Sequence, residues 1–179
     1  MQSSTGRARL AVAAALTTAA TAAVVVGQGA PASGASEGRD LAQVRAATAR
    51  FHDVAVATAE GYVPVSGCEQ VPGLGAMGVH YLNPGLAQDG VVDPRRPEVL
   101  LYLPSEDGLR LVGVEWFVAE AAAGGQRPSV LGQPFEGPMA GHSEGMPRHY
   151  DLHAWVWAHN PTGTWQAWNP ALSCEGGAQ

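Results

Sequence analysis

The chain predicts an α+β domain: one N-terminal helix packed on a mostly antiparallel sheet, with long Gly/Pro-rich loops. Three observations carry that expectation. Residues 40–60 repeat apolar side chains at spacings of three and four. From Tyr62 onward, Gly or Pro breaks the chain about every ten residues, which suits short strands rather than further helices. Two apolar runs flank Pro104-Ser105-Glu106-Asp107-Gly108, where Asp-Gly supplies the positive-φ positions of a hairpin.

Residues 1–32 read as an export signal. Arg7 and Arg9 form a basic start, Leu10–Val26 is uncharged, and Ala30-Pro31-Ala32 is a small-residue cleavage pattern. The rival reading is a membrane anchor, since the run approaches the ~17–25 apolar residues that span a bilayer. Its content is mostly Ala and Thr, however, and the cleavage pattern follows at once. Cleavage after Ala32 leaves a mature chain of about 147 residues, enough for one domain with a core of its own. Residues 33–39 are expected to be a flexible leader and 40–179 a single secreted domain. No later run is apolar for long enough to span, so the mature chain is not expected to insert stably in a membrane. Beyond the signal, eight arginines face 16 acidic residues and there is no lysine, which argues against nucleic acid and anionic membrane as partners.

The helix is placed at Asp40–Glu60. Asp40 and Gln43 form a capping box, Leu41, Val44, Thr48, Phe51, Ala55, Ala59 and Tyr62 lie near one face, and Gly61 is a natural stop. Strands are expected at Val79–Leu82, Val99–Leu103, Leu109–Val118, Arg148–Ala158 and Thr164–Trp168. Between the third and fourth runs, 126–147 is a long loop, and such loops in compact domains are often functional. Gly73–Gly78 imitates a phosphate-binding glycine string but follows no strong strand and opens no helix, so it reads as a loop passing close to other backbone. In an exported protein, Cys68 and Cys174 suggest a disulfide; free thiols or metal ligands are the alternative, without a Cys-x-x-Cys spacing to favour them.

The chemistry concentrates in Arg148–Asn160. Read as a strand, it sends His149, Asp151, His153, Trp155, Trp157 and His159 to one face and Tyr150, Leu152, Ala154, Val156 and Ala158 to the other. The second face is ordinary core. Residues two apart on a strand are ~6.6–6.8 Å apart and those four apart ~13 Å, so His149 and His153 do not readily share one ion. A site must instead combine one of them with other strands. His80 in Gly78-Val79-His80-Tyr81 and Glu115 in Val114-Glu115-Trp116 are the candidates, with His142 closing from the loop. Glu115 sits in an apolar run, where a lone buried charge costs several kcal/mol. It therefore needs a metal, a hydrogen-bond cluster, edge exposure, or an arginine such as Arg110 or Arg148. The candidate metal ligands are thus His80, Glu115, His142, His149 and His153, a donor set that suits Zn²⁺, Cu²⁺, Ni²⁺ or Fe²⁺.

Gly-Ala-Met-Gly-Val-His-Tyr-Leu-Asn-Pro (75–84) together with His-Tyr-Asp-Leu-His-Ala-Trp-Val-Trp (149–157) resembles a family of uncharacterised secreted bacterial proteins. The resemblance runs from about the helix to Cys174. It implies secretion and a single domain, and adds nothing to mechanism. The expected function is a secreted domain that sequesters or carries a transition metal. Two alternatives stand beside it. One is an extracellular metal-dependent enzyme, which needs an open coordination position and a base such as Glu115 or Asp151. The other is a non-metal ligand-binding module using a surface of Trp155, Trp157, Trp165 and Trp168, residues that would otherwise be core.

Overall fold

The computed structural model describes residues 1–2, 33–143, 145–175 and 177–178. Its elements are α1 (Ser33–Thr48), a 3₁₀ turn (Ala49–His52), α2 (Val54–Ala59), β1 (Val63–Val71), β2 (Gly75–Leu82), α3 (Pro84–Asp89), β3 (Val99–Ser105) and β4 (Gly108–Ala119). A second 3₁₀ turn (Glu120–Ala122) precedes β5 (Ser129–Val130), β6 (Gln133–Pro134), β7 (Glu136–Met139), β8 (His149–Ala154), β9 (Leu172–Ser173) and β10 (Gly177–Ala178). All belong to the unit Pro31–Gln179. The expected export signal, apart from its first two residues, lies outside the described residues. Among the described residues, no helix is long and apolar enough to cross a membrane.

The class is α+β as expected: one long helix and short ones, with a six-stranded sheet ordered β1-β2-β3-β4-β8-β7. Every pairing in it is antiparallel. The helical region differs in detail. The stretch 33–39, expected as a leader, lies in α1, so Asp40 is inside a helix rather than at its cap. The expected single helix is interrupted because the chain tightens to 3₁₀ at Ala49–His52 and Asp53 leaves helical geometry. The Asp53 carboxylate then accepts from the Ala55 N–H and starts α2 as its cap.

Two faces of the sheet are filled differently. Leu100, Tyr102, Val114, Trp116, Leu152 and Ala154 form the face that meets Leu41, Val44, Phe51 and Ala57 of the helical region. Tyr102 donates its hydroxyl to the Phe51 carbonyl at 2.6 Å, and Arg45 Nε donates to the Val156 carbonyl at 2.7 Å, so polar atoms also fix the docking. On the opposite face, Val99, Leu101, Leu103, Phe117 and Trp155 form a second apolar cluster. The C-terminal segment covers part of it: Ala76 and Asn169 exchange backbone hydrogen bonds, and Leu172 is buried in the cluster.

The expected hairpin is present, with Ser105 opposite Gly108 and Gly108 at φ +119°. Three strand expectations change. The segment 148–158 is paired only over His149–Ala154, and Thr164–Trp168 forms turns instead of a strand. The glycine string belongs partly to β2, which begins at Gly75. Its close approach to other backbone does hold: a Cβ at Gly78, at φ +94°, would lie 2.4 Å from the Tyr102 carbonyl oxygen. The disulfide Cys68–Cys174 is formed, with Cα atoms 5.8 Å apart, and ties β1 to the C-terminal segment.

Candidate metal centre

The strand register sets the site. Glu115 of β4 lies directly opposite His153 of β8, and Phe117 opposite Asp151. Val99 pairs with both Glu115 and Leu82, so Leu82 and, two residues earlier, His80 share the Glu115 face. His149, Asp151 and His153 alternate onto it from β8. His80 and His153 stand on strands three positions apart, about 14 Å at the usual strand spacing. Their ring centroids are nevertheless 6.1 Å apart, so the sheet curls and makes this face concave.

Curling brings His80, Glu115 and His153 to one point. His80 Nε2 is 3.5 Å and His153 Nε2 is 3.6 Å from Glu115 Oε2. Glu115 and His153 are buried, and the His80 side chain is 12% exposed. Neither distance is a hydrogen bond, and Glu115 Oε2 and His153 Nε2 have no other partner. Ligand atoms in a tetrahedral site with ~2.0–2.1 Å bonds stand about 3.3–3.5 Å from each other. The two separations from Glu115 lie close to that spacing, and all three ligand atoms lie within 4.8 Å of one another.

Ser66 fixes how His80 presents itself. The Ser66 hydroxyl donates to the Gly67 carbonyl at 2.7 Å and accepts from the His80 backbone N–H at 3.1 Å. With its proton on that carbonyl, the hydroxyl is placed to accept again from His80 Nδ1, 3.0 Å away. The Nδ1–H tautomer leaves the Nε2 lone pair bare and aimed at Glu115, the state a metal ligand needs.

The electrostatics describe a neutral cluster. Burial, reinforced by His153 and His142, lowers the His80 pKa to about 3. Burial also lowers that of His153, outweighing the opposing charge of Asp151. Burial and then the charges of Asp151, Glu69 and Glu98 raise the Glu115 pKa well above the ordinary carboxyl range. Burial thus favours the uncharged form of all three groups. No arginine meets Glu115 among the described residues; Arg148 pairs with Glu120 at 2.8 Å instead.

A pocket of about 500 Å³ opens beside the cluster. His80 and Glu115 line it together with apolar Leu82, Val99, Phe117 and Met146, and His142, Ser143, Gly145 and Pro147 form part of its wall. The remaining candidates, His142 and His149, do not join His80. With Asp151 they form a separate group whose potential ligand atoms lie within 4.8 Å of each other.

Trp155, Trp157 and Trp165 do not form an exposed platform, and Trp168 is half-buried. Trp155 is buried and donates to the Gln166 carbonyl. Trp157 leaves the His149 face: it packs against the helix-side core and donates to Thr48 Oγ1. Trp165 donates to Glu37 and packs against Trp116. Strand alternation stops at Ala154, so it places Trp157 wrongly.

Sequence reasoning missed Ser66 altogether. It lies on β1, which Pro64 and Gly67 disguise and whose exposed residues show no apolar alternation. No family model, curated protein or solved structure matches this chain.

Proposed function

We propose that this is an exported protein that binds a transition metal ion through His80, Glu115 and His153. The observation that carries the reading is the convergence of two imidazole nitrogens and a carboxylate oxygen at 3.5 and 3.6 Å with no hydrogen bond between them. A lone pair facing a buried carboxyl at that distance is a costly arrangement that an ion relieves. The donor chemistry suits Zn²⁺, Cu²⁺, Ni²⁺ or Fe²⁺. Export is supported by the signal pattern at 1–32 and by the disulfide, which forms in oxidising compartments.

The test is metal content after dialysis of untagged protein against each ion, paired with thermal unfolding. About one ion per chain at this site and a raised melting temperature are expected, with one ion fewer and a smaller thermal shift in His80→Ala and His153→Ala. Substoichiometric metal without a thermal shift overturns the reading. Mass spectrometry of the exported product tests the address, with Ser33 as the expected first residue.

The adjoining pocket favours a second reading, a metal-dependent enzyme. Three protein ligands leave a coordination position free, the arrangement of catalytic rather than structural sites. The pocket size falls within the ~300–1,000 Å³ typical of small-molecule sites. A Co²⁺-loaded protein whose visible spectrum responds to added azide supports the open position. An unresponsive spectrum favours storage or transport.

A further inference from the structure

We propose that His142, His149 and Asp151 form a second transition-metal site that pins His142 and the adjoining wall residues Ser143, Gly145 and Met146 over the pocket. The ligand atoms of the three residues lie within 4.8 Å of one another. His149 is fully buried, and its Nε2 has no hydrogen-bond partner. That nitrogen is 3.6 Å from Asp151 Oδ2, again too long for a hydrogen bond and close to a ligand–ligand edge.

His149 is held as a ligand is held. Its Nδ1 faces the Pro147 carbonyl at 3.0 Å, and since a carbonyl only accepts, Nδ1 carries the proton. In the neutral ring Nε2 is then the free lone pair, directed by a backbone partner as metal-bound histidines are. Phe117 stacks on the ring at 4.9 Å between centroids, fixing its plane. His142 completes the group from outside the sheet, its ring 5.1 Å from that of His149 and edge-on to it.

The site is separate from the first one. His149 and His153 are four residues apart on one strand, roughly 13 Å, which bonds of ~2.0–2.2 Å do not bridge. The two sites therefore sit side by side along β8, each taking one histidine from it.

Two of the three ligands are rigid and the third is not. His149 and Asp151 are buried on β8, whereas His142 is exposed on the loop. The loop is pinched: Met146 N–H donates to the Ser143 carbonyl at 3.2 Å, and a Cβ at Gly141 would lie 2.0 Å from the Met146 carbonyl oxygen. His142, Ser143, Gly145 and Met146 all line the pocket. An ion joining His142 to β8 ties this wall to the sheet and restricts entry to the first site. Imidazole and carboxylate donors again suit a borderline first-row ion such as Zn²⁺.

The experiment uses Zn²⁺ alone with the untagged protein. Equilibrium dialysis is expected to give two ions per chain in the wild type, one in His142→Ala and one in His80→Ala. His142 is exposed, so its variant tests the site without disturbing the core; Asp151→Asn is the second, nearly isosteric probe. Amide hydrogen exchange at Gly145 and Met146 is expected to slow with Zn²⁺ in the wild type and in His80→Ala, but not in His142→Ala. Wild-type stoichiometry retained in both His142→Ala and Asp151→Asn overturns the proposal, as does unchanged exchange at both amides. Zinc lost from His142→Ala but retained by His80→Ala supports this site while removing the His80 site, so the two readings fail separately.

Discussion

His80 Nε2 lies 3.5 Å from Glu115 Oε2 although β3 stands between their strands. A bare imidazole nitrogen and a carboxyl oxygen at that distance tolerate each other only with a proton or a cation nearby. In the metal-free protein burial and the neighbouring carboxylates favour the protonated form of Glu115. His80 and His153 have none to give near neutral pH, because burial lowers both. An ion must therefore displace one proton from the cluster. Apparent affinity is expected to rise about tenfold per pH unit until the Glu115 pKa is passed. Calorimetry in buffers of different ionisation enthalpy measures the proton count. Glu115→Gln removes the proton release along with a ligand; release unchanged in that variant refutes the assignment.

Ser66 acts on the cluster only through His80, so its removal separates positioning from ligation. Ser66→Ala leaves the Nδ1–H without its acceptor and frees the ring to turn or change tautomer. Loss of such an outer partner typically weakens metal affinity by ~10–100-fold. Stability is expected to change much less, since Ser66 is only part-buried at the sheet edge. A metal titration beside a thermal melt checks the split, and an unaltered affinity contradicts the tautomer argument.

Gly78 lies two residues before His80 at φ +94°, with the Tyr102 carbonyl 2.4 Å from where a Cβ would be. Alanine there meets both an unfavourable backbone region and immovable backbone of β3. Gly78→Ala is expected to destabilise by about 1–3 kcal/mol or more and to shift His80 out of register with Glu115. Denaturant unfolding measures the first effect and metal titration the second. A Gly→Ala change at Gly90, where a Cβ meets nothing within 4 Å, is the milder control.

How far the site was legible follows from which residues lie on strongly patterned strands. Glu115 stood out because a carboxylate interrupts an apolar run, and β8 stood out through its histidines. Strand spacing alone separated His149 from His153. What spacing does not supply is the partner across the sheet, because that depends on curl: His80 reaches His153 only because three strand steps close to 6.1 Å between rings. The register shift beside Leu101 and Tyr102 places an extra residue in β4, a local source of twist that apolar periodicity does not reveal. Trp157 was misplaced for the converse reason. Alternation was carried past Ala154, where β8 ends, so the ring falls on the helix side.

The disulfide closes a separation of 106 residues, from β1 to the segment after β9. A loop of that length contributes about 4–5 kcal/mol in the chain-entropy model. Cys68→Ser with Cys174→Ser is expected to lower the unfolding free energy by up to that amount. Ser66 and Glu69 lie on the strand that the bridge anchors, so metal affinity is expected to fall with it. Chemical denaturation and zinc titration of oxidised and reduced protein provide both numbers. Equal zinc affinity in the two forms indicates that β1 keeps its position without the bridge.

Glu98 gives stability a dependence on pH that is separable from metal binding. Its carboxyl is buried and accepts from the Phe117 N–H at 3.1 Å. Burial pushes its pKa up from 4.5 to about 8, against the pull of that hydrogen bond. The folded chain therefore keeps a proton that the unfolded chain has lost, and stability falls as pH rises through this window. Below pH 6.5 the lowered pKa values of His80 and His153 act in the opposite sense, since unfolding lets them bind protons. Between pH 6.5 and about 8 both stay neutral in the folded chain while the unfolded chain loses its remaining imidazole protons, so this opposing contribution fades across the window. Glu115, whose pKa burial also raises, acts in the same sense as Glu98. Metal-free protein is thus expected to melt at a lower temperature at pH 8 than at pH 6.5. Glu98→Gln retains an acceptor for Phe117 without a charge to bury, so it is expected to flatten the slope and to exceed the wild type in stability at the alkaline end. Thermal unfolding across the window, with chelator present, measures both slopes. A wild-type melting temperature that rises from pH 6.5 to 8 contradicts the assignment of a proton to Glu98.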